Sequence, residues 1–182
     1  MLQFNLLNRV PVGPKPPKEV YCVVEIPKGS TNKYEYKSKF DAFFLDRVLY
    51  EAVFYPTEYG LIPQTKNEED GDPLDIMVFS SFSTFPGCVL ACRPIGMLRL
   101  IDSGEQDNKI IAVPCHDPRF EEVKTLEDLP AHFKKEIKNF WENYSELQQN
   151  KKIKVEGWSG KEVAYETIKK AAANYQKTSK KS

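Results

Sequence analysis

Residues 68–75 place five carboxylates in eight positions: Glu68, Glu69, Asp70, Asp72 and Asp75. Gly71 and Pro73 punctuate them, which predicts a tight, stiff turn. The apolar run 76–79 follows at once, so Asp75 sits at the mouth of a strand. An unpartnered carboxylate there is partly desolvated and costly. A second acidic loop, residues 102–107, carries Asp102, Glu105 and Asp107 about thirty positions later. Two oxygen-rich loops suit a hard divalent cation. Mg²⁺ in particular keeps several waters and takes one or two carboxylates plus phosphate oxygens. An EF-hand is excluded by spacing: counted from Asp70, glycine falls second rather than sixth, and the twelfth residue is Ser81. A lone Asp-Gly-Asp is also at home in a solvated surface turn, and Glu68 and Glu69 read as solvated neighbours.

The cations that could face such a site are scattered. Lys109 follows Asp107 by two positions, on the same face if a strand has begun there. That pair is either a surface ion pair or an acid for metal beside a base for anion. Arg47 ends an apolar run, and its fork matches phosphate oxygens. Lys33 stands in an alternating strand. No Gly-rich phosphate cradle of the Walker or dinucleotide type is present, so side chains and metals would hold phosphate. His116 and His132 share no motif with an acid or thiol, which argues against most nucleophilic mechanisms.

The rest of the composition narrows the class. The 182 residues carry 26 basic and 26 acidic side chains, so no global field draws in nucleic acid or an anionic membrane. Cys22, Cys88, Cys92 and Cys115 lack zinc spacing and read as reduced thiols of a cytoplasmic protein. No signal peptide or long apolar span is evident.

Four prolines break any continuous helix in an N-terminal arm, residues 1–19. Short strands are expected at 20–26, 33–37, 40–49, 76–79, 89–93, 95–101, 110–113 and 152–158, with a loop at 55–60. Phe133, Ile137, Phe140, Trp141, Tyr144 and Leu147 recur at helical spacing beyond Pro130, and a second helix is expected over 160–176. A flexible Lys/Ser tail covers 177–182. The fold class is mainly β with flanking helices (α+β), in a single domain over 1–182.

Beyond this point the chain resembles the soluble family I inorganic pyrophosphatases. The resemblance rests on Asp70-Gly71-Asp72-Pro73-Leu74-Asp75-Ile76, and on blocks in the same order around Glu25, Lys33 to Glu35, Asp46-Arg47, Tyr55-Pro56, Tyr59-Gly60, Arg93 to Gly96, Lys109 to Pro114 and Lys154 to Trp158. It implies a five-stranded OB-like barrel with two helices in the C-terminal half. It also implies several Mg²⁺ ions, with Mn²⁺ or Zn²⁺ as substitutes, and hydrolysis of pyrophosphate to two phosphates by in-line attack of a metal-activated water without a phosphoenzyme. By position, Asp70, Asp75, Asp102 and Asp107 would hold metal, and Asp72 would be the general base. Lys33, Arg47, Tyr59, Lys109 and Tyr144 would bind phosphoryl oxygens, with Glu25, Glu35 and Tyr55 in the supporting shell. Short prokaryotic members assemble as homohexamers, and the same is expected here. Two positions depart from the pattern: Ser103 stands where relatives often carry Glu, and Ser145 where they often carry Lys. Rival readings are a non-catalytic OB-type nucleic-acid module, disfavoured by the acidic loops, and a metal phosphohydrolase of nucleotides or sugar phosphates.

Overall fold

The structure is a computed structural model that describes residues 5–148 and 152–179. Its strands are β1 (Val20–Ile26), β2 (Asn32–Lys37), β3 (Ala42–Val48), β4 (Glu58–Leu61), β5 (Asp75–Val78), β6 (Val89–Asp102), β7 (Glu105–Gln106), β8 (Lys109–Pro114) and β9 (Ile153–Gly160). Helices are α1 (Leu6–Arg9), α2 (Ala131–Asn143) and α3 (Lys161–Ser179). The main sheet runs β1-β4-β5-β8-β6, and β6 pairs back onto β1, so five strands close a ring. This is the OB-like architecture expected. β9 adds to β6 outside the ring, and β2 with β3 forms a separate two-stranded sheet.

Ring closure depends on one long strand. The sequence reads as two strands interrupted at Pro94, but β6 runs through it. Proline cannot donate to a ladder, and the register with β8 shifts between Pro94 and Gly96, where a bulge absorbs the missing donor. The bent strand thus pairs with β1 through its first half and β9 through its second. A further difference lies at residues 55–60, where β4 begins at Glu58 and places Tyr59 in the ring. Gly60 permits this: a Cβ there would sit 2.1 Å from the Val23 carbonyl of β1.

Both faces of the strands are covered, which explains their unbroken apolar runs. Met77, Ile111 and Val113 join one core with Ile137, Phe140, Trp141 and Tyr144 of the α2 stripe. Ile76, Ile110 and Ala112 join another with Ala164, Ile168 and Ala171 of α3. Leu147 departs from the expected stripe and is exposed, because α2 ends at Asn143 before the periodicity reaches it. At the other end α3 continues through Ser179, past the expected boundary, so the expected tail is helical that far; positions 180–182 lie outside the described residues. The four cysteines are free thiols, two of them buried. No helix among the described residues is long and apolar enough to cross a membrane.

Candidate active site

The acidic turn joins β4 to β5 and is as stiff as its glycine and proline predict. The Asp70 carboxylate accepts the Asp72 N–H at 2.9 Å, and the Asp72 carbonyl accepts the Asn67 N–H at 2.8 Å. Gly71 supplies a φ of 81° that other residues adopt only with strain. Thr65 fastens the base of the turn, accepting the Leu74 N–H at 2.9 Å while donating to the Ile62 carbonyl. Glu68, expected to be merely solvated, is exposed but pairs with Lys170 at 2.5 Å and accepts from Asn174, tying the turn to α3.

Strand topology brings the second acidic loop to this turn. β5 and β8 are parallel with Ile76 beside Ile110, so Asp75 and Lys109 open neighbouring strands at the same level. The Lys109 side chain is 2% exposed and its ammonium binds Asp75 at 2.5 Å and also Asp107. It lies over the rings of Trp141 and Tyr59, 5.3 and 5.7 Å from their centroids. Burial disfavours the ammonium, but Asp75 and Asp107 outweigh burial and hold its pKa above the ordinary value. Burial pushes the Asp107 carboxyl up, with Lys109 opposing and Asp75 adding to the rise. Burial likewise raises Asp72, helped by Asp70 and Asp75.

The β2–β3 hairpin provides the facing cations. Its register sets Lys33 opposite Arg47. Lys33 pairs with Glu35 at 2.6 Å and with Asp46 at 3.5 Å, and Arg47 contacts Asp46. Nε and Nη2 of Arg47 are buried with no hydrogen-bond partner. Burial disfavours the ionised Glu35 carboxylate, yet bonds from Lys33 and Lys37 outweigh it and hold its pKa down to about 2. The rings of Tyr55 and Tyr59 pack in a tilted contact, 5.6 Å between centroids, and burial raises both phenols well above their ordinary range, so they are neutral donors.

All expected site residues except Arg47 line one cleft of about 800 Å³: Glu25, Lys33, Glu35, Tyr55, Tyr59, Asp70, Asp72, Asp75, Asp102, Asp107, Lys109 and Tyr144. Arg47 is not among the residues lining it, but it is close enough to Tyr144 and Tyr55 for both to act on its charge. Ser103 adopts a φ of 54° in the β6–β7 turn, whereas Ser145 is buried and off the cleft wall. Residues that the sequence did not single out also line the cleft, among them Asn5, Leu7, Lys66, Trp141 and Tyr175. Trp141 was legible only as part of the α2 stripe. Lys66 belongs to the acidic turn's own loop, whereas Asn5, Leu7 and Tyr175 meet the site through contacts far apart in the chain, for which no local pattern exists.

The donor set fits hard divalent cations. It offers carboxylate oxygens and no histidine or sulfur ligand, and burial together with neighbouring carboxylates raises Asp72 and Asp107, a cost that a cation would offset. Among the described residues no three acidic, histidine or cysteine side chains are arranged to hold an ion by themselves. Water and substrate oxygens would complete the shell, as Mg²⁺ prefers.

Glu25 differs from the other acids in being buried in β1, where its carboxyl accepts the Tyr36 N–H at 2.6 Å. Burial pushes it up to about 8, with the Tyr36 bond opposing and Asp75 adding. A carboxyl raised in this way favours the fold fully below its unfolded pKa, near 4.3. That contribution fades as pH rises and is gone above about 8. Glu25→Gln keeps an acceptor for Tyr36 without the charge. In metal-free buffer it should melt with the parent at pH 4 and above it at pH 9; equal midpoints at both would show that Glu25 is not a buried neutral acid.

A five-stranded ring with an acidic cleft faced by lysine and tyrosine donors defines a phosphohydrolase type of site. The family model for inorganic pyrophosphatase matches residues 22–176. The inorganic pyrophosphatase of Picrophilus torridus is 51% identical over 170 residues, covering 93% of this chain and 95% of the relative. That of Aquifex pyrophilus is 46% identical, covering 94% and 97%. The crystal structure of inorganic pyrophosphatase from Thermus thermophilus superposes with a TM-score of 0.90 at 42% identity, covering 93% of this chain and 98% of that one. The chain belongs to the inorganic pyrophosphatase family, and it is an enzyme of the hydrolase class.

Proposed function

We propose that this chain hydrolyses pyrophosphate to two phosphates in a Mg²⁺-dependent reaction, with Mn²⁺ or Zn²⁺ as substitutes. The observation that carries the reading is the joining of two acidic loops through buried Lys109 in a cleft faced by the Lys33 and Arg47 hairpin. Asp70, Asp75, Asp102 and Asp107 hold the ions. Mg²⁺ held by these carboxylates would neutralise phosphate oxygens and would supply the acidity that makes water a nucleophile near neutral pH.

The chain's own groups do the rest. Asp72, fixed by the turn on both sides, takes the proton of the attacking water. Lys33, Lys109, Tyr59 and Tyr144 bind phosphoryl oxygens, and stabilising charge there is the principal catalytic contribution in phosphoryl transfer. Arg47 does not line the cleft, and its two unpartnered nitrogens join this work when its side chain turns toward the bound phosphate. Glu25, Glu35 and Tyr55 hold the neighbouring backbone and cations in place. Attack is direct and in line, with no phosphoenzyme. The active form is a cytoplasmic homohexamer of the single-domain chain.

Phosphate release from pyrophosphate and from ATP, each with and without Mg²⁺, tests the reading. Release from pyrophosphate only, and only with the ion, is expected. Equal rates on ATP would point to a broader phosphohydrolase. Trapping of a phosphorylated protein during turnover in ¹⁸O-water would eliminate direct attack.

A further inference from the structure

The β2–β3 hairpin carries Lys33 and Arg47, yet it forms a sheet of its own, with no ladder to the ring. Something else must set its angle over the cleft. Tyr36 is the residue where the ties converge. Its N–H reaches Glu25 of β1, and its hydroxyl donates to the Asp41 carboxylate at 2.6 Å and accepts the Leu6 N–H at 3.1 Å. Asp41 takes the Leu6 N–H as well, at 2.8 Å, and binds the Arg9 guanidinium at 3.1 Å. The Tyr36 ring is buried with Leu7 and Val23 and lies 5.2 Å from that of Phe43.

The backbone at Asp41 shows what this carboxylate is for. It turns β2 into β3 with a φ of 49°, a left-handed conformation that glycine adopts without strain. An acid occupies the position instead, and its side chain grips the N-terminal turn. The far side of that turn is anchored too. The Asn8 carbonyl accepts from Gln64 at 2.9 Å, and its side-chain oxygen accepts the Tyr175 hydroxyl at 2.5 Å. So α1 is a strut between the hairpin, the start of the acidic turn's loop, and α3. Asn5, Leu7 and Asn8 line the same cleft as Lys33 and Asp72, although the family match begins only at residue 22.

We propose that Tyr36 and Asp41 are positioning residues for substrate binding: they latch the N-terminal turn to the β2–β3 hairpin and so hold Lys33 and Glu35 over the cleft. The inference rests on the pyrophosphatase reading above. Loosening the latch leaves Lys33 in place for bound substrate to recruit, so the cost of ordering the hairpin is met on binding and falls on KM more than on kcat.

The test uses the full chain with Tyr36→Phe, Asp41→Gly and the double variant. Tyr36→Phe keeps the buried ring, and Asp41→Gly relieves the turn, so both should fold. Each is expected to raise KM for Mg-pyrophosphate roughly three- to tenfold, a net loss on the scale of one hydrogen bond once water replaces the exposed contacts, with kcat within about twofold. The double variant should match the worse single one, because both break one latch. Parental KM in both variants, or a double whose effect is the product of the two, overturns the proposal. Amide exchange over residues 32–37 gives a readout independent of activity: faster exchange in both variants is expected, and unchanged protection overturns the latch. Failure of the parent chain to release phosphate from pyrophosphate would instead defeat the functional reading, and exchange alone would then judge the latch.

Discussion

Asp72→Asn is expected to lower kcat by roughly 10²- to 10⁴-fold, the usual worth of a positioned general base, while Mg²⁺ affinity changes by less than about threefold. The turn is held by backbone and by Asp70: the Asp72 N–H, its carbonyl and Gly71 fix the shape, and none of those contacts uses the Asp72 carboxylate. Asparagine therefore preserves the turn and removes only the proton acceptor. Pre-steady-state turnover with a parallel Mg²⁺ titration separates the roles. If metal affinity falls further than turnover, Asp72 belongs to the ion-binding set.

Lys109→Met should damage both folding and activity. Methionine fills the space of the lysine stem but leaves Asp75 and Asp107 facing each other without the cation between them. Removing one partner of a buried pair strongly destabilises; here the two carboxylates are 23% and 31% exposed, so solvent tempers the cost to about 2–4 kcal/mol. Chemical unfolding in chelator is expected to show that loss, and saturating Mg²⁺ should restore part of it by neutralising the same acids. Turnover should remain at least roughly a hundredfold down even with Mg²⁺, because a donor to the phosphoryl group is gone. A variant as stable as the parent in chelator would mean that Lys109 does not hold the two loops together.

Much of this site was readable in one dimension because its acids are local. Glycine, proline and three aspartates within six residues specify a turn whatever surrounds it, and the structure contains that turn. The α2 stripe was readable for the same reason, since its period is a property of the helix alone. The pairing of Asp75 with Lys109 was not, because it depends on β5 and β8 lying parallel, a relation no local pattern encodes. Nor was the continuity of β6, where tertiary pairing on both sides overrides a proline that locally reads as a break. Tyr59 was read in a loop because Pro56 and Gly60 flank it, but Gly60 serves close strand approach rather than a turn. The arm was least legible: its prolines exclude a long helix, yet one helical turn suffices to reach Tyr36, Gln64 and Tyr175.

The parallel pairing of β5 with β8 has a kinetic consequence. The 102–107 loop has Lys109 within its own β6–β8 connection, but the 70–75 turn cannot acquire that lysine locally; it must wait for strands more than thirty positions apart to meet. Long-range pairings of this kind form slowly, because loop closure must precede the contacts that reward it. In a refolding experiment, secondary structure in α2 and α3 should therefore return before enzymatic activity does. The recovery of turnover would time the closure of the ring, making the enzyme its own reporter of the last step in its folding.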